Sequence, residues 1–130
     1  MGAFDLLRIA NTSLGMHQTW LDALANNIAN VNTMRRTDEN AFQAQLVNAR
    51  AKTDGGVEVE SIELGDAEGR MTYQPDHPLA DENGYVRAPD IDMGSQMSQL
   101  IMAQRGFQAS VQVTKNAQDT YTSALQIGRG

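Results

Sequence analysis

The feature that most constrains the fold is a seven-residue repeat near the start of the chain. Its first row of apolar side chains is Leu7, Leu14, Leu21 and Ile28. A second row, three residues further along, is Ala10, His17, Leu24 and Val31. No proline interrupts these rows, and two such rows form the seam of a coiled coil. The pattern predicts one long helix from Phe4 to Asn32 that needs a partner helix.

The end of the chain carries a matching helical pattern that predicts this partner. A first stripe of mainly large side chains at helical spacing contains Met93, Met97, Leu100, Phe107, Val111, Tyr121 and Leu125. A second stripe, roughly across the helix, holds mostly small side chains at Gly106, Ala109, Val113, Ala117, Ala124 and Ile127. We expect the first stripe to pack along the seam within the chain. We expect neighbouring chains to bury the second stripe.

The segment between the two helices predicts short strands and loops. Residues 41–50 and 57–64 are typical of a half-exposed hairpin, with a turn at 52–56 and with Val57, Val59 and Ile62 on its inner face. Residues 73–92 hold all 3 prolines, which predicts an ordered loop or a short hairpin. The predicted fold is therefore mainly α with a small β-rich insert, in which two long terminal helices pair as an antiparallel coiled coil around a middle hairpin and loop segment. The predicted division is a helical segment at 1–32, an acidic middle segment at 33–92 and a helical segment at 93–130.

Negative charge is concentrated in the middle segment. The net charge is −6, and only Asp5, Asp22 and Asp119 of the 16 acidic residues lie outside residues 33–92. An acidic chain without a basic stripe repels phosphate groups, which excludes nucleic acid as a partner. The apolar runs are far shorter than the ~20 residues that cross a bilayer, so we expect no membrane insertion.

The outer faces of the predicted helices are polar but nearly uncharged. A coiled coil exposed to solvent normally carries Glu and Lys there, whereas this chain carries Asn, Gln, Ser and Thr. We expect other chains to bury these faces. Asparagine is a poor helix former, and for Asn30 and Asn32 a helix-end cap and a specific interhelical role are equally open interpretations.

A cluster of acidic residues near the prolines is the strongest candidate for chemistry, and it contains Asp76, His77, Asp81, Glu82, Asp90 and Asp92. Its spacing matches only a fragment of a calcium-binding loop. Asp and Asn beside Pro and Gly are typical of turns, so a structural role is favoured. His17 has no second histidine one turn away, which favours a packed histidine over a metal ligand.

The sequence contains 0 cysteines, no serine in a nucleophile elbow and no phosphate-binding glycine loop. We therefore predict no catalytic residue, no metal site and no cofactor, and a protein that is not an enzyme. One alternative is a cytoplasmic helical adaptor, a binding module whose outer helix faces should be charged. A less favoured alternative is a small metal-dependent hydrolase that uses His77 with Asp76 and Asp81.

Three segments resemble a known family. The run Leu24-Ala25-Asn26-Asn27-Ile28-Ala29-Asn30-Val31-Asn32-Thr33 resembles the amino-terminal motif of the axial proteins of the bacterial flagellum. Residues 73–86, followed by Pro89-Asp90-Ile91-Asp92, are similar to a proximal-rod subunit of that family. Residues 103–110 resemble the family's carboxy-terminal helix motif. The family usually has asparagine at the positions of Asp90 and Asp92, and an acidic residue at the position of Gln96.

The resemblance implies a structural subunit of the flagellar basal-body rod, which polymerises into the helical drive shaft that crosses the periplasm. It implies as partners further copies of the chain, other rod subunits, MS-ring and adaptor proteins at the rod base, and the type III export apparatus. The expected assembly interface draws on both helices and contains Leu7, Leu14, Leu21, Leu24, Asn27, Ile28, Asn30, Met97, Leu100, Arg105, Phe107, Val111, Tyr121 and Leu125.

Overall fold

The computed structural model describes residues 2–129. Met1 and Gly130, which belong to the predicted helical segments 1–32 and 93–130, lie outside the described residues. In chain order the elements are α1 (Ala3–Ala29), β1 (Gln45–Ala51), β2 (Val57–Leu64), β3 (Arg70–Tyr73), β4 (Tyr85–Ala88) and α2 (Met93–Arg129). The mainly α fold with a β-rich insert is therefore confirmed. Neither helix, over the part of the chain described, is long and apolar enough to span a membrane.

Helix α1 ends three residues before the predicted boundary, because Asn30 caps it. The Asn30 side-chain amide donates to the Asn26 carbonyl at 2.9 Å, and the Thr33 hydroxyl donates to Asn30 Oδ1 at 3.0 Å. Such bonds satisfy polar groups that the end of a helix leaves without an intrahelical partner. Of the two interpretations left open for Asn30, the structure shows the helix-end cap.

The middle segment forms two hairpins. Strands β1 and β2 pair in one sheet and β3 and β4 in another, the latter antiparallel with Arg70 opposite Ala88. The turn of the first hairpin closes where Lys52 N donates to Gly56 O at 3.0 Å. The predicted bounds of the second strand, 57–64, are confirmed, whereas the first strand starts at 45 rather than 41. Pro75, Pro78 and Asn83-Gly84 lie in the connection between β3 and β4, whereas Pro89 follows β4 directly.

The first of two compact units takes in the chain as far as Leu21, Val47–Ser61, and the chain from Ile101 onward. In it, Ser13 Oγ lies 2.8 Å from Ser110 Oγ, and His17 lies against Gly106. From Ser13 to His17 the chain advances four residues along α1, while the partners Ser110 and Gly106 run back four residues along α2. The antiparallel pairing of the two helices is therefore confirmed. The buried side chains of this unit are small, and they are Ala10, Ala103, Ser110 and Ala117.

The second unit takes in Asp22–Leu46 and Ile62–Leu100. Its buried apolar residues are Ala23, Leu24, Ala41, Ala44, Val86, Ala88 and Ile91. Strand β4 lies at the centre of this unit, because it pairs with β3 on one side and forms an isolated bridge with Arg35 on the other. The backbones of Arg35 and Arg87 exchange two hydrogen bonds of 2.8 Å there.

Candidate assembly interface

The seam predicted for α1 faces the interior of the chain. Ala10 and Leu24 are buried, and the other seam residues within the helix are half-buried, namely Leu7, Leu14, His17, Leu21 and Ile28. The opposite side of the helix is exposed at Asn11, Gly15, Gln18, Asp22, Ala25 and Ala29. Leu7, Leu14, Leu21, Leu24 and Ile28 therefore stabilise the fold of the single chain. Their contribution to assembly stays a prediction.

The buried line of α2 coincides with neither predicted stripe, and it includes Ala117, a second-stripe residue that we expected a neighbouring chain to bury. Its centre is Ala103, Ser110 and Ala117, spaced seven residues apart. Leu100, Phe107 and Tyr121 of the first stripe are half-buried on one side, and Gly106 of the second stripe is half-buried on the other. The small side chains occupy the middle because they allow the helices to approach closely. A pattern of large apolar residues alone could not locate this line.

The expectation that the whole first stripe packs within the chain is wrong. Met93, Met97, Val111 and Leu125 are 40–50% exposed. In the second stripe, Val113 is 47% exposed and Ile127 is 81% exposed. Helix α2 thus presents apolar side chains on both sides of its buried line. Among the predicted interface residues on α2, Met97, Arg105, Val111 and Leu125 are accessible.

A polar network fixes the helix register in the first unit. His17 Nδ1 donates to the Ser13 carbonyl at 2.8 Å, and the Ser110 hydroxyl donates to the Gly106 carbonyl at 2.8 Å. A Cβ atom at position 106 would collide with the imidazole. His17 is therefore packed and hydrogen-bonded, as its isolated position in the sequence favours.

Asn27 joins three elements of the second unit. Its side chain is 1% exposed. Oδ1 accepts from Gln45 N at 2.8 Å, and Nδ2 donates to Gln45 O at 2.9 Å and to Gln96 Oε1 at 3.0 Å. Every polar atom of the side-chain amide therefore has a partner inside the chain, and a role of Asn27 in assembly stays a prediction. The helical pattern alone gave no signal for this network.

The acidic residues near the prolines organise the backbone of their loop. Asp81 Oδ1 accepts from the backbone N–H groups of Asn83 and Tyr85, both at 2.9 Å, and Oδ2 accepts from the Thr37 hydroxyl at 3.1 Å. These bonds, with that of Tyr85 first, outweigh desolvation and lower the pKa of Asp81. His77 Nδ1 accepts from Leu79 N at 3.0 Å. This arrangement is that of an ordered turn.

Asp92 has a structural role at the start of α2. Its Oδ2 accepts from Ser95 N at 3.2 Å, as expected of the residue that caps a helix. Within residues 2–129, His, Asp and Glu side chains form no group of three that could hold a metal ion.

The hairpins expose apolar side chains that the sequence pattern did not indicate. Ile62 is 49% exposed, because strand alternation puts it on the side of Glu58 and Glu60 rather than with Val57 and Val59. Leu46 and Leu64 are exposed as well. On the second hairpin, Tyr73 and Tyr85 lie opposite each other with ring centroids 5.3 Å apart.

Comparison with known proteins identifies the family. Residues 82–127 match the family model described as flagellar basal body rod FlgEFG protein C-terminal. The flagellar basal-body rod protein FlgC of Yersinia enterocolitica is 31% identical, over 99% of this chain and 100% of its own length. FlgC of Salmonella typhimurium is 29% identical over the same shares, and FlgC of Borreliella burgdorferi is 28% identical over the whole of both chains. The chain belongs to the FlgC family of flagellar basal-body rod proteins.

Proposed function

We propose that this chain is a structural subunit that polymerises with its neighbours into the basal-body rod, the helical shaft that transmits motor torque. One observation carries the proposal: small side chains are buried in the first unit, while large apolar side chains are exposed. The fully buried side chains of the first unit are alanines and a serine. In the same unit the exposed large apolar side chains include Phe4, Ile101, Met102, Val111 and Ile127. Burying a large apolar side chain stabilises by about 1.5–3 kcal/mol. Contacts with neighbouring chains would recover this free energy.

The nearly uncharged surface of α2 supports a polymer. Its charged residues are Arg105, Lys115, Asp119 and Arg129. The remaining polar side chains can form hydrogen bonds between chains without burying ions. In this proposal the helical segments 1–32 and 93–130 build the core of the rod, and the acidic segment 33–92 faces outward or fills gaps between subunits. Members of this family are structural proteins, so we propose no enzymatic role for this chain.

The proposal includes a route and a set of neighbours that follow from the family resemblance. The chain leaves the cytoplasm through the type III export apparatus and assembles in the part of the rod that spans the periplasm. It contacts further copies of itself, other rod subunits, and MS-ring and adaptor proteins at the rod base. A cytoplasmic helical adaptor is less well supported, because one partner helix would cover only one of the two apolar sides of α2.

Gene deletion and complementation test the proposal. Cells that lack the gene should not swim and should carry no hooks, since a missing rod layer blocks everything added after it. Motile deletion cells with normal hooks would falsify the rod function.

A variant with Met97→Ser, Val111→Ser and Leu125→Ser tests the exposed first stripe in the same cells. It should fold, as judged by circular dichroism, yet fail to restore swimming. The matched control, with Gln104→Ser, Gln108→Ser and Gln112→Ser, shortens exposed side chains of α2 without removing apolar surface, and should restore swimming. Restoration by the first variant would exclude a role for this stripe in assembly.

A further inference from the structure

A groove of about 610 Å³ lies in the second unit, beside β3 and the start of α2. Three methionines line it, Met34, Met71 and Met93, together with Ile91. Methionine side chains are flexible and polarizable, so a groove of this kind adapts to the apolar face of a helix.

Two exposed carboxylates, Asp90 and Asp92, line the same groove. Asp90 forms no ion pair with any described residue. Arg70 also lines the groove, but its guanidinium donates to the carbonyls of Pro89 and Ile91 at 3.4 and 3.5 Å. The groove therefore suits an apolar segment that carries a positive charge.

We propose that the groove binds the end of α2 from a second copy of this chain. This inference rests on the proposed function and names one contact within it. Leu125 is 50% exposed, and Arg129 follows it by four residues, on the same face of α2. Arg129 forms no ion pair with any described residue. Leu125 would contact the methionines, and Arg129 would pair with Asp90. Ile127 lies two residues from each of them, on the other side of the helix, and would stay outside the groove.

The negative charge of the groove favours the end of α2 over the start of α1, which is the other exposed apolar helix end. Phe4 and Leu6, at the start of α1, are 65% and 40% exposed, but they flank Asp5. A second carboxylate beside Asp90 and Asp92 is unfavourable, because like charges repel at short range. The end of α2 offers apolar surface with the opposite charge. The contact joins two different surfaces, so it can repeat from copy to copy, as the helical polymer of the proposed function requires.

Cysteine cross-linking tests the contact, because the chain contains 0 cysteines. Full-length Met71→Cys protein is mixed with full-length Leu125→Cys protein under mild oxidation. Because each chain has a single cysteine, any cross-link is intermolecular. We expect the mixed dimer to exceed both homodimers several-fold. The control replaces Met71→Cys with Leu79→Cys, an exposed position outside the groove.

Equal coupling of Leu125→Cys to both positions would overturn the proposal, as would a predominance of homodimers. Arg129→Glu in the Leu125→Cys chain should reduce the mixed dimer several-fold, and Asp90→Lys in the Met71→Cys chain should restore it. A yield insensitive to both reversals would also overturn it. If deletion cells fail to swim while no cross-link forms, this contact fails and the rod function stands. Motile deletion cells would instead overturn the rod function.

Discussion

The imidazole of His17 occupies the space that a side chain at Gly106 would need. A Cβ atom at position 106 would overlap Nε2 and Cδ2 of the ring, while Nδ1 is held by the Ser13 carbonyl at 2.8 Å. The ring therefore cannot move away without losing a hydrogen bond. This pair of residues sets the helix register in the first unit.

We predict that Gly106→Ala makes the chain less stable. The added methyl group should cost about 1–3 kcal/mol through overpacking, against a gain of about 0.5–1 kcal/mol from replacing glycine within a helix. Gly15→Ala is the matched control, since nothing lies within 4 Å of a Cβ atom there, and it should stabilise. Urea unfolding followed by circular dichroism measures both. In a His17→Ala background Gly106→Ala should stabilise as well, and equal stabilisation by both alanines in the wild-type background would contradict the prediction.

We predict that Asn27→Ala lowers the free energy of unfolding by about 2–4 kcal/mol, because each buried polar group left unsatisfied costs about 1–3 kcal/mol. The groups concerned are the backbone N–H and C=O of Gln45, together with Gln96 Oε1. Asn11→Ala, on the exposed side of α1, should change stability by less than about 0.5 kcal/mol. Chemical unfolding of the three proteins gives the comparison. Similar values for the two variants would show that the Asn27 network adds no stability.

We predict that the loop around Asp81 loosens in acid. The backbone N–H of Tyr85 is the main cause that lowers the pKa of Asp81. A lowered folded-state pKa means that the ionised carboxylate stabilises the loop above the ordinary aspartate value of about 3.9, and that this contribution is lost as pH falls through the lowered value. The protection factors of the Asn83 and Tyr85 amides, taken relative to intrinsic exchange at each pH, should therefore fall below about pH 4.

Asp81→Asn has no proton to gain at that side chain, so amide exchange in its loop should lose this acid dependence. Asp76→Asn, in the same connection between β3 and β4, should keep it. An unchanged acid profile in the Asp81→Asn protein would mean that another group controls the loop.

We predict that the amide hydrogens of residues 4–32 and 93–127 exchange rapidly in the dilute free chain, through local opening of the helices without global unfolding, and become protected on assembly. Small buried side chains contribute little transfer free energy to the isolated helix pair, and most helical stability comes from tertiary packing. Residual protection should concentrate at β4, where Val86 and Ala88 are buried. Hydrogen exchange measured by mass spectrometry tests this. Strong protection of both helices in the monomer would show that folding is independent of polymerisation.

The sequence was sufficient to predict the two helices and the two hairpin regions. The repeat from Leu7 to Ile28 and the lack of proline favour a helix along the whole of this segment. Gly55-Gly56 indicates a turn, and a turn depends only on residues that are neighbours in the sequence. The end of α1 was predicted less well, because the cap depends on side-chain bonds of Asn30. The free energy of these side-chain bonds is close to that of the backbone bonds in one more helical turn, so the sequence pattern does not decide between them.

The surfaces of α2 could not be assigned from the pattern. Hydrophobicity favours burial of Met97 and Val111, but close helix approach favours Ala103 and Ser110, and only the packed structure decides between them. The Asn27 network was equally hidden, because Gln45 and Gln96 lie 18 and 69 residues away in the sequence. Long-range polar contacts leave no periodic signal.

The small side chains along the α2 seam have a mechanical consequence. Alanine and glycine have no side-chain rotamers to exchange, and Ser110 is tied to the Gly106 carbonyl. A torsional load on the helix pair therefore meets few side chains that can rearrange along this buried line. In a rotating shaft such a helix pair would be stiff in torsion, and the contacts between subunits would provide the elastic twist.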